Sequence, residues 1–73
     1  MSELLSIINI IFENKGLPQI LSISEKTNLR SDLAFNSLDL AEFTVRVEEK
    51  FGVDIFADGI VETIAEVMEK IKR

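Results

Sequence analysis

The run Asn36-Ser37-Leu38-Asp39 places a nucleophilic hydroxyl at the start of an amphipathic segment, and it is where chemistry can be sought first. The side-chain oxygen of Asn36 can accept a first-turn backbone N–H, and Asp39 puts negative charge where a helix dipole favours it. Ser37 is then held at the positive end of a helix. It is not an activated nucleophile: the chain has no histidine, so no serine–histidine triad can form. Absence of cysteine removes thiolate ligands and disulfides. Asp39 and Glu42, one turn apart, have the types of a general acid/base pair but read as a solvated acidic face, because nothing implies a cleft that would shift either pKa. Asp54 and Asp58 lack the ligand spacing of a calcium loop, so no metal site is assigned. No glycine-rich loop is present to cradle phosphates. These exclusions argue against an enzyme.

The elements that position Ser37 follow from periodicity. Leu4, Leu5, Ile8, Ile11 and Phe12 recur at helical spacing after Ser2, a capping type, and Lys15-Gly16 with Pro18 ends the pattern, which predicts a first helix over about residues 3–14. Residues 17–36 hold apolar side chains without a sustained period. Leu29 and Leu33 are expected to pin this long connection to the core, with one helical turn allowed within 18–23. A strand at 20–23 has no visible partner. The central helix spans about residues 37–50 and stops at Gly52. Its apolar residues fall into two groups, Leu40, Phe43, Val47 and Phe51 on one face and Leu38, Ala41 and Val45 on another, whereas packing on a small core needs only the first. Residues 53–59 fit one turn of helix or a connector. Thr63 with Glu66 makes a capping box, and Ile64, Val67, Met68 and Ile71 form a stripe ending in Lys70, Lys72 and Arg73. The expected fold is all-α, a small three-to-four-helix bundle with a long loop between helices 1 and 2, forming a single domain over residues 1–73.

Composition agrees. Of 73 residues, 47% are apolar, too many for a disordered chain, yet a domain this small buries only about 60% of its unfolded surface. The apolar run 4–12 is too short to span a bilayer and lacks a basic flank, so a soluble, cytoplasmic protein without membrane insertion is expected. Net charge is −5, and residues 36–58 carry six acids against two bases. Such a surface repels nucleic acid and attracts a basic partner.

Residues 29–39, Leu-Arg-Ser-Asp-Leu-Ala-Phe-Asn-Ser-Leu-Asp, followed by Glu42, Glu48, Glu49, Phe51, Gly52 and Ile55, resemble the acyl carrier protein family, and with the first helix and the segment from Thr63 the likeness covers essentially the whole chain. The resemblance implies that Ser37 carries 4′-phosphopantetheine, transferred from coenzyme A by a phosphopantetheinyl transferase, with Asn36 capping the helix beside it. The arm's thiol would hold acyl or aminoacyl groups as thioesters for fatty-acid, polyketide or specialised lipid or saccharide biosynthesis. The implied partners are that transferase, an acyl- or aminoacyl-loading ligase and acyl-processing enzymes with basic docking patches, meeting a monomeric carrier through Leu38, Asp39, Ala41, Glu42, Val45 and Glu48. The arm brings its own thiol, which fits a chain without cysteine or histidine. Ala41 and Val45 can equally be half-buried against the long loop.

Four departures from the family pattern point to a specialised member. Asn36 stands where aspartate is usual, Ala34 where glycine is common, Arg46 lies inside the acidic helix, and residues 56–59 form a shortened third segment. The expected cargo is a short or polar acyl or aminoacyl group. The five phenylalanines can line a cargo space or simply fill a small core, and the core is the favoured role. A competing expectation is an unmodified acidic helical adaptor that binds a basic partner through the second helix.

Overall fold

The computed structural model describes residues 2–57 and 59–72. Among them the chain forms three helices and no strand: α1 (Ser2–Asn14), α2 (Ser37–Phe51) and α3 (Ile64–Lys72). The lower count of the expected three to four therefore holds among the described residues, because residues 53–54 are irregular and 55–57 make a turn rather than a helix. None of the helices is long and apolar enough to cross a membrane.

α1 starts at Ser2 itself, so Ser2 lies inside the helix rather than capping it. Its buried face is Leu4, Ile7, Ile8, Ile11 and Phe12. Ile7 replaces the expected Leu5, which is half-buried, a rotation of the apolar face by about one position. The helix closes through a left-handed Gly16 (φ 75°), with Leu17 N–H donating to Phe12 O at 2.9 Å and Gly16 N–H to Glu13 O at 3.0 Å. These two bonds satisfy terminal carbonyls that would otherwise lack partners.

The long connection is irregular throughout, without the helical turn allowed at 18–23, and three devices hold it. Asn9 uses its side-chain amide as a backbone substitute: its Nδ2 donates to Ile20 O at 3.0 Å and its Oδ1 accepts from Ile20 N–H at 2.8 Å. Asn28 accepts from the N–H groups of Arg30 and Ser31, both at 2.9 Å, while its own N–H donates to Asp32 Oδ2 at 2.7 Å. An isolated antiparallel bridge joins Asn28 to Thr63, flanked by Leu29 N–H to Glu62 O at 2.7 Å and Ile64 N–H to Thr27 O at 3.0 Å. Leu29, Leu33 and Phe35 are consequently buried, as their types predict.

The core joins these residues to Leu40, Phe43 and Val47 of α2 and to Ile55, Val61, Ile64 and Val67. Phe35 sits edge-on to Phe12 (centroids 6.0 Å, 79°) and tilted against Phe43 (6.0 Å, 52°), so one aromatic row links α1, the loop and α2. Phe51 and Phe56 are only half-buried at its margin. The capping box expected at α3 is formed, with Glu66 N–H donating to Thr63 Oγ1 at 3.3 Å and Thr63 N–H to Glu66 Oε1 at 3.2 Å.

Ala34 has φ 57°, the only left-handed non-glycine among the described residues. That conformation costs an L-residue roughly 1–2 kcal/mol, against about 0.5–1 kcal/mol of extra chain entropy lost by a glycine. Ala34 is exposed, so its methyl contributes little packing. Ala34→Gly is expected to stabilise the fold by about 0.5–1 kcal/mol, read as a higher urea midpoint at unchanged slope.

Candidate functional site

The start of α2 is set by its capping residue. Asn36 is extended (φ −90°, ψ −177°), and its Oδ1 accepts from Asp39 N–H at 2.9 Å while its own N–H donates to Asp39 Oδ2 at 3.2 Å. Both halves of a capping box are present, built from asparagine and aspartate instead of the usual serine and glutamate. Ser37 is the first helical residue, and its side chain is exposed. The Asp39 N–H is engaged by the cap and Leu40 N–H donates to Asn36 O at 2.9 Å, whereas helix geometry leaves the Ser37 and Leu38 N–H groups without intrahelical acceptors.

Asp39 departs from its expected role. It is only 6% exposed, the one buried charged residue among those described, and does not belong to a solvated acidic face or to a docking surface. Lys15, just beyond α1, donates its Nζ to Asp39 Oδ2 at 2.7 Å. Burial alone raises a carboxyl pKa. Here the Lys15 hydrogen bond, the Asn36 N–H and the Lys15 charge together outweigh it, and Asp39 lies below its ordinary 3.8. The sequence shows a carboxylate at the third helical position and a lysine ending α1, but their meeting depends on how α1 packs against α2. The pair ties the start of the Ser37 helix to the end of α1.

Glu42 is also less available than a solvated carboxylate. Its Oε2 accepts from Arg46 Nε at 2.9 Å and from Asn14 Nδ2 at 3.4 Å. Asp39 and Glu42 thus have separate structural partners, Lys15 for the first and Arg46 with Asn14 for the second. Asp54 Oδ1 accepts from Phe56 N–H at 3.0 Å. Asp58, the other half of the candidate cation pair, lies outside the described residues, as does Arg73. Among the described residues no group of three potential ligands could hold a metal ion.

The second apolar group of α2 is displayed. Leu38 is 78% exposed, Val45 is 54% exposed, and Ala41 and Glu48 are exposed as well. Of the two readings of Ala41 and Val45, burial against the loop is the one the structure rejects. Beside this stripe, an open hollow of about 240 Å³ is lined by Arg30, Ser37, Leu40, Ala41, Thr44 and Phe56. The sequence does not reveal it, since it arises where the loop and residues 53–57 meet α2.

A phosphodiester on Ser37 fits these residues. The hydroxyl is accessible, the helix start favours negative charge, two N–H groups there lack intrahelical acceptors, and open space adjoins the side chain.

Residues 7–71 match the family described as phosphopantetheine attachment site. The chain is 38% identical over 53 residues to an acyl carrier protein of Lactobacillus acidophilus, an alignment covering 70% of this chain and 66% of the relative. It is 34% identical over 62 residues to an acyl carrier protein of Saccharopolyspora erythraea, covering 82% of this chain and 64% of that protein. The aligned stretches therefore span just under two thirds of these relatives' own lengths. No solved structure matches. An all-helical domain with an exposed serine at a capped helix start, matched over nearly its whole length, belongs to the acyl carrier protein family of phosphopantetheine carriers.

Proposed function

We propose that Ser37 is the residue that bears the phosphopantetheine arm, and that the chain works in the cytoplasm as a carrier, presenting acyl or aminoacyl groups to enzymes that load and process them. The observation that carries this reading is the exposed Ser37 hydroxyl at the capped start of α2, inside the segment matched to the attachment-site family. When bound, the arm supplies a thiol that holds the acyl group as a thioester. The protein's own residues do the rest. Asn36 and Asp39 fix the first turn of α2, Lys15 anchors that turn to α1, and the Ser37 and Leu38 N–H groups face the new phosphodiester's charge. No base within the chain need take the Ser37 proton, because the transferase supplies the catalysis.

The same helix supports a docking role. Leu38, Ala41 and Val45 offer apolar contact, and Glu48 offers charge for a basic patch, so that charge sets the encounter rate and the apolar stripe the buried contact. Glu42 contributes less, being paired with Arg46, and Asp39 contributes to the helix start instead. The hollow beside Ser37 is small and opens to solvent, while Phe12, Phe35 and Phe43 fill the core. That supports a short cargo over a long buried chain.

The test is intact mass. Incubation of the purified protein with coenzyme A and a broad-specificity phosphopantetheinyl transferase is expected to add one phosphopantetheine, and Ser37→Ala is expected to add none while keeping the wild-type helical circular dichroism. A wild-type protein that gains no mass with several transferases rules the reading out.

A further inference from the structure

Among the described residues, Arg30 is the only charged one lining the hollow that Ser37 also lines. Its backbone is fixed: Arg30 N–H donates to Asn28 Oδ1 at 2.9 Å, and the preceding Leu29 is fully buried with its N–H on Glu62 O at 2.7 Å. The side chain therefore leaves an anchored point of the loop next to the start of α2. Two other cations in this part of the protein have carboxylate partners, Lys15 on Asp39 at 2.7 Å and Arg46 on Glu42 at 2.9 Å. Arg30 forms no ion pair with any described residue, although the chain holds thirteen acids against eight bases. A guanidinium without an ion-pair partner among the described residues, in a hollow that none of their carboxylates lines, is a counter-charge for an anion brought from outside the side-chain inventory.

We propose that Arg30 is the positioning residue for the phosphodiester on Ser37, its guanidinium donating N–H bonds to the non-bridging oxygens from the loop side while the first turn of α2 faces them from the helix side. This rests on Ser37 being the attachment residue. The covalent link brings the phosphodiester to the hollow that Arg30 lines, because its phosphorus is bonded to Ser37 Oγ, whereas any charge on the cargo lies at the arm's far end. Guanidinium presents paired N–H donors that suit two phosphate oxygens, a geometry that lysine matches in charge but not in shape. The contact draws the root of the arm toward Arg30 and the hollow's other wall at Phe56, and so biases the direction in which the arm leaves α2.

The test converts ¹⁵N-labelled protein from the unmodified to the modified form with coenzyme A and a transferase, with mass and NMR read on the same sample. Mass gain at Ser37 is expected, together with a displacement of the Arg30 Nε–Hε signal larger than that of Arg46, which serves as the internal reference because its Nε is already bound to Glu42. The thermal midpoint of the wild type is expected to rise by about 2–5 °C on modification. Arg30→Gln should lose more than half of that rise and Arg30→Lys should retain part of it, a comparison of differences that cancels other effects of the arm. No mass gain overturns both this proposal and the Ser37 assignment. Mass gain with an unmoved Arg30 signal and equal rises in wild type and Arg30→Gln overturns this proposal alone. A third arm separates the source of the anion: if Arg30 responds only when malonyl-coenzyme A is the donor, and not with coenzyme A itself, its partner is the cargo carboxylate and the proposal is overturned.

Discussion

Replacing Phe43 with alanine is expected to remove about 3–5 kcal/mol of folding stability, measured as a large drop in the urea midpoint. Phe43 is fully buried and packs its ring against Phe35, which in turn meets Phe12. Truncation would lose the transfer energy of the ring, the aromatic pair and the packing around the cavity left behind. A domain of this length has roughly 4–11 kcal/mol in total, at about 0.05–0.15 kcal/mol per residue, so the loss is a large share of it. Phe43→Leu keeps most of the volume and is expected to cost less than half as much. Because Phe43 fixes the inward face of α2, a partly unfolded Phe43→Ala should accept phosphopantetheine only in proportion to its folded fraction.

Removing the Asp39 carboxylate is expected to have the next largest effect. Asp39→Ala should lose about 2–3 kcal/mol near neutral pH: about 1 kcal/mol for the bond that its carboxylate accepts from the Asn36 N–H, and the remainder for a charge-assisted bond to Lys15, discounted because the lysine is about a third exposed. The pH dependence follows from the direction of the Asp39 shift. Its folded-state pKa lies below the ordinary 3.8, so the unfolded chain binds the proton more readily. The charge-dependent part of the stabilisation is therefore fully present above that ordinary value and lost as pH falls through the lower folded-state one. Urea titrations of both proteins in steps below about pH 4 should show the gap between wild type and Asp39→Ala narrowing with acid. A gap that stays constant or widens would mean that the charged pair contributes nothing to folding.

What the sequence made legible was local. Periodicity placed α1 and α2 to within a residue of their ends and marked the stripe of α3, because Ile8, Ile11, Phe43, Val47, Ile64 and Val67 repeat at helical spacing, and Gly16 and Gly52 stop α1 and α2 through short-range geometry. Thr63 and Glu66 lie three apart, so their capping box could be read directly. Features set by contacts across the fold were not legible. Asp39 meets Lys15 twenty-four positions earlier, and Asn9 meets Ile20 eleven positions later. In sequence Asp39 is one more acid in an acidic helix, and Asn9 is an interruption in an apolar run. Only packing shows that the first is buried in a cap and that the second replaces a missing backbone partner. Ala34 marks an intermediate case: its departure from the family glycine is visible in sequence, but its cost appears only with the left-handed φ. The hollow near Ser37 belongs to the same long-range class, since Arg30, Thr44 and Phe56 come from three separate segments.

The bridge between Asn28 and Thr63 has a consequence for how the molecule breathes. It closes residues 28–63 into a ring that contains the whole of α2 and both of its flanking turns. Opening that ring exposes Leu29 and Ile64, two fully buried side chains, so it is costly, whereas the start of α1 and the C-terminal end of α3 can fray without touching it. The amides of Leu29 and Ile64, bonded across the closure, should then exchange with solvent among the slowest in the chain. The frame that holds the start of α2, and Ser37 with it, stays shut while those outer helix ends fray.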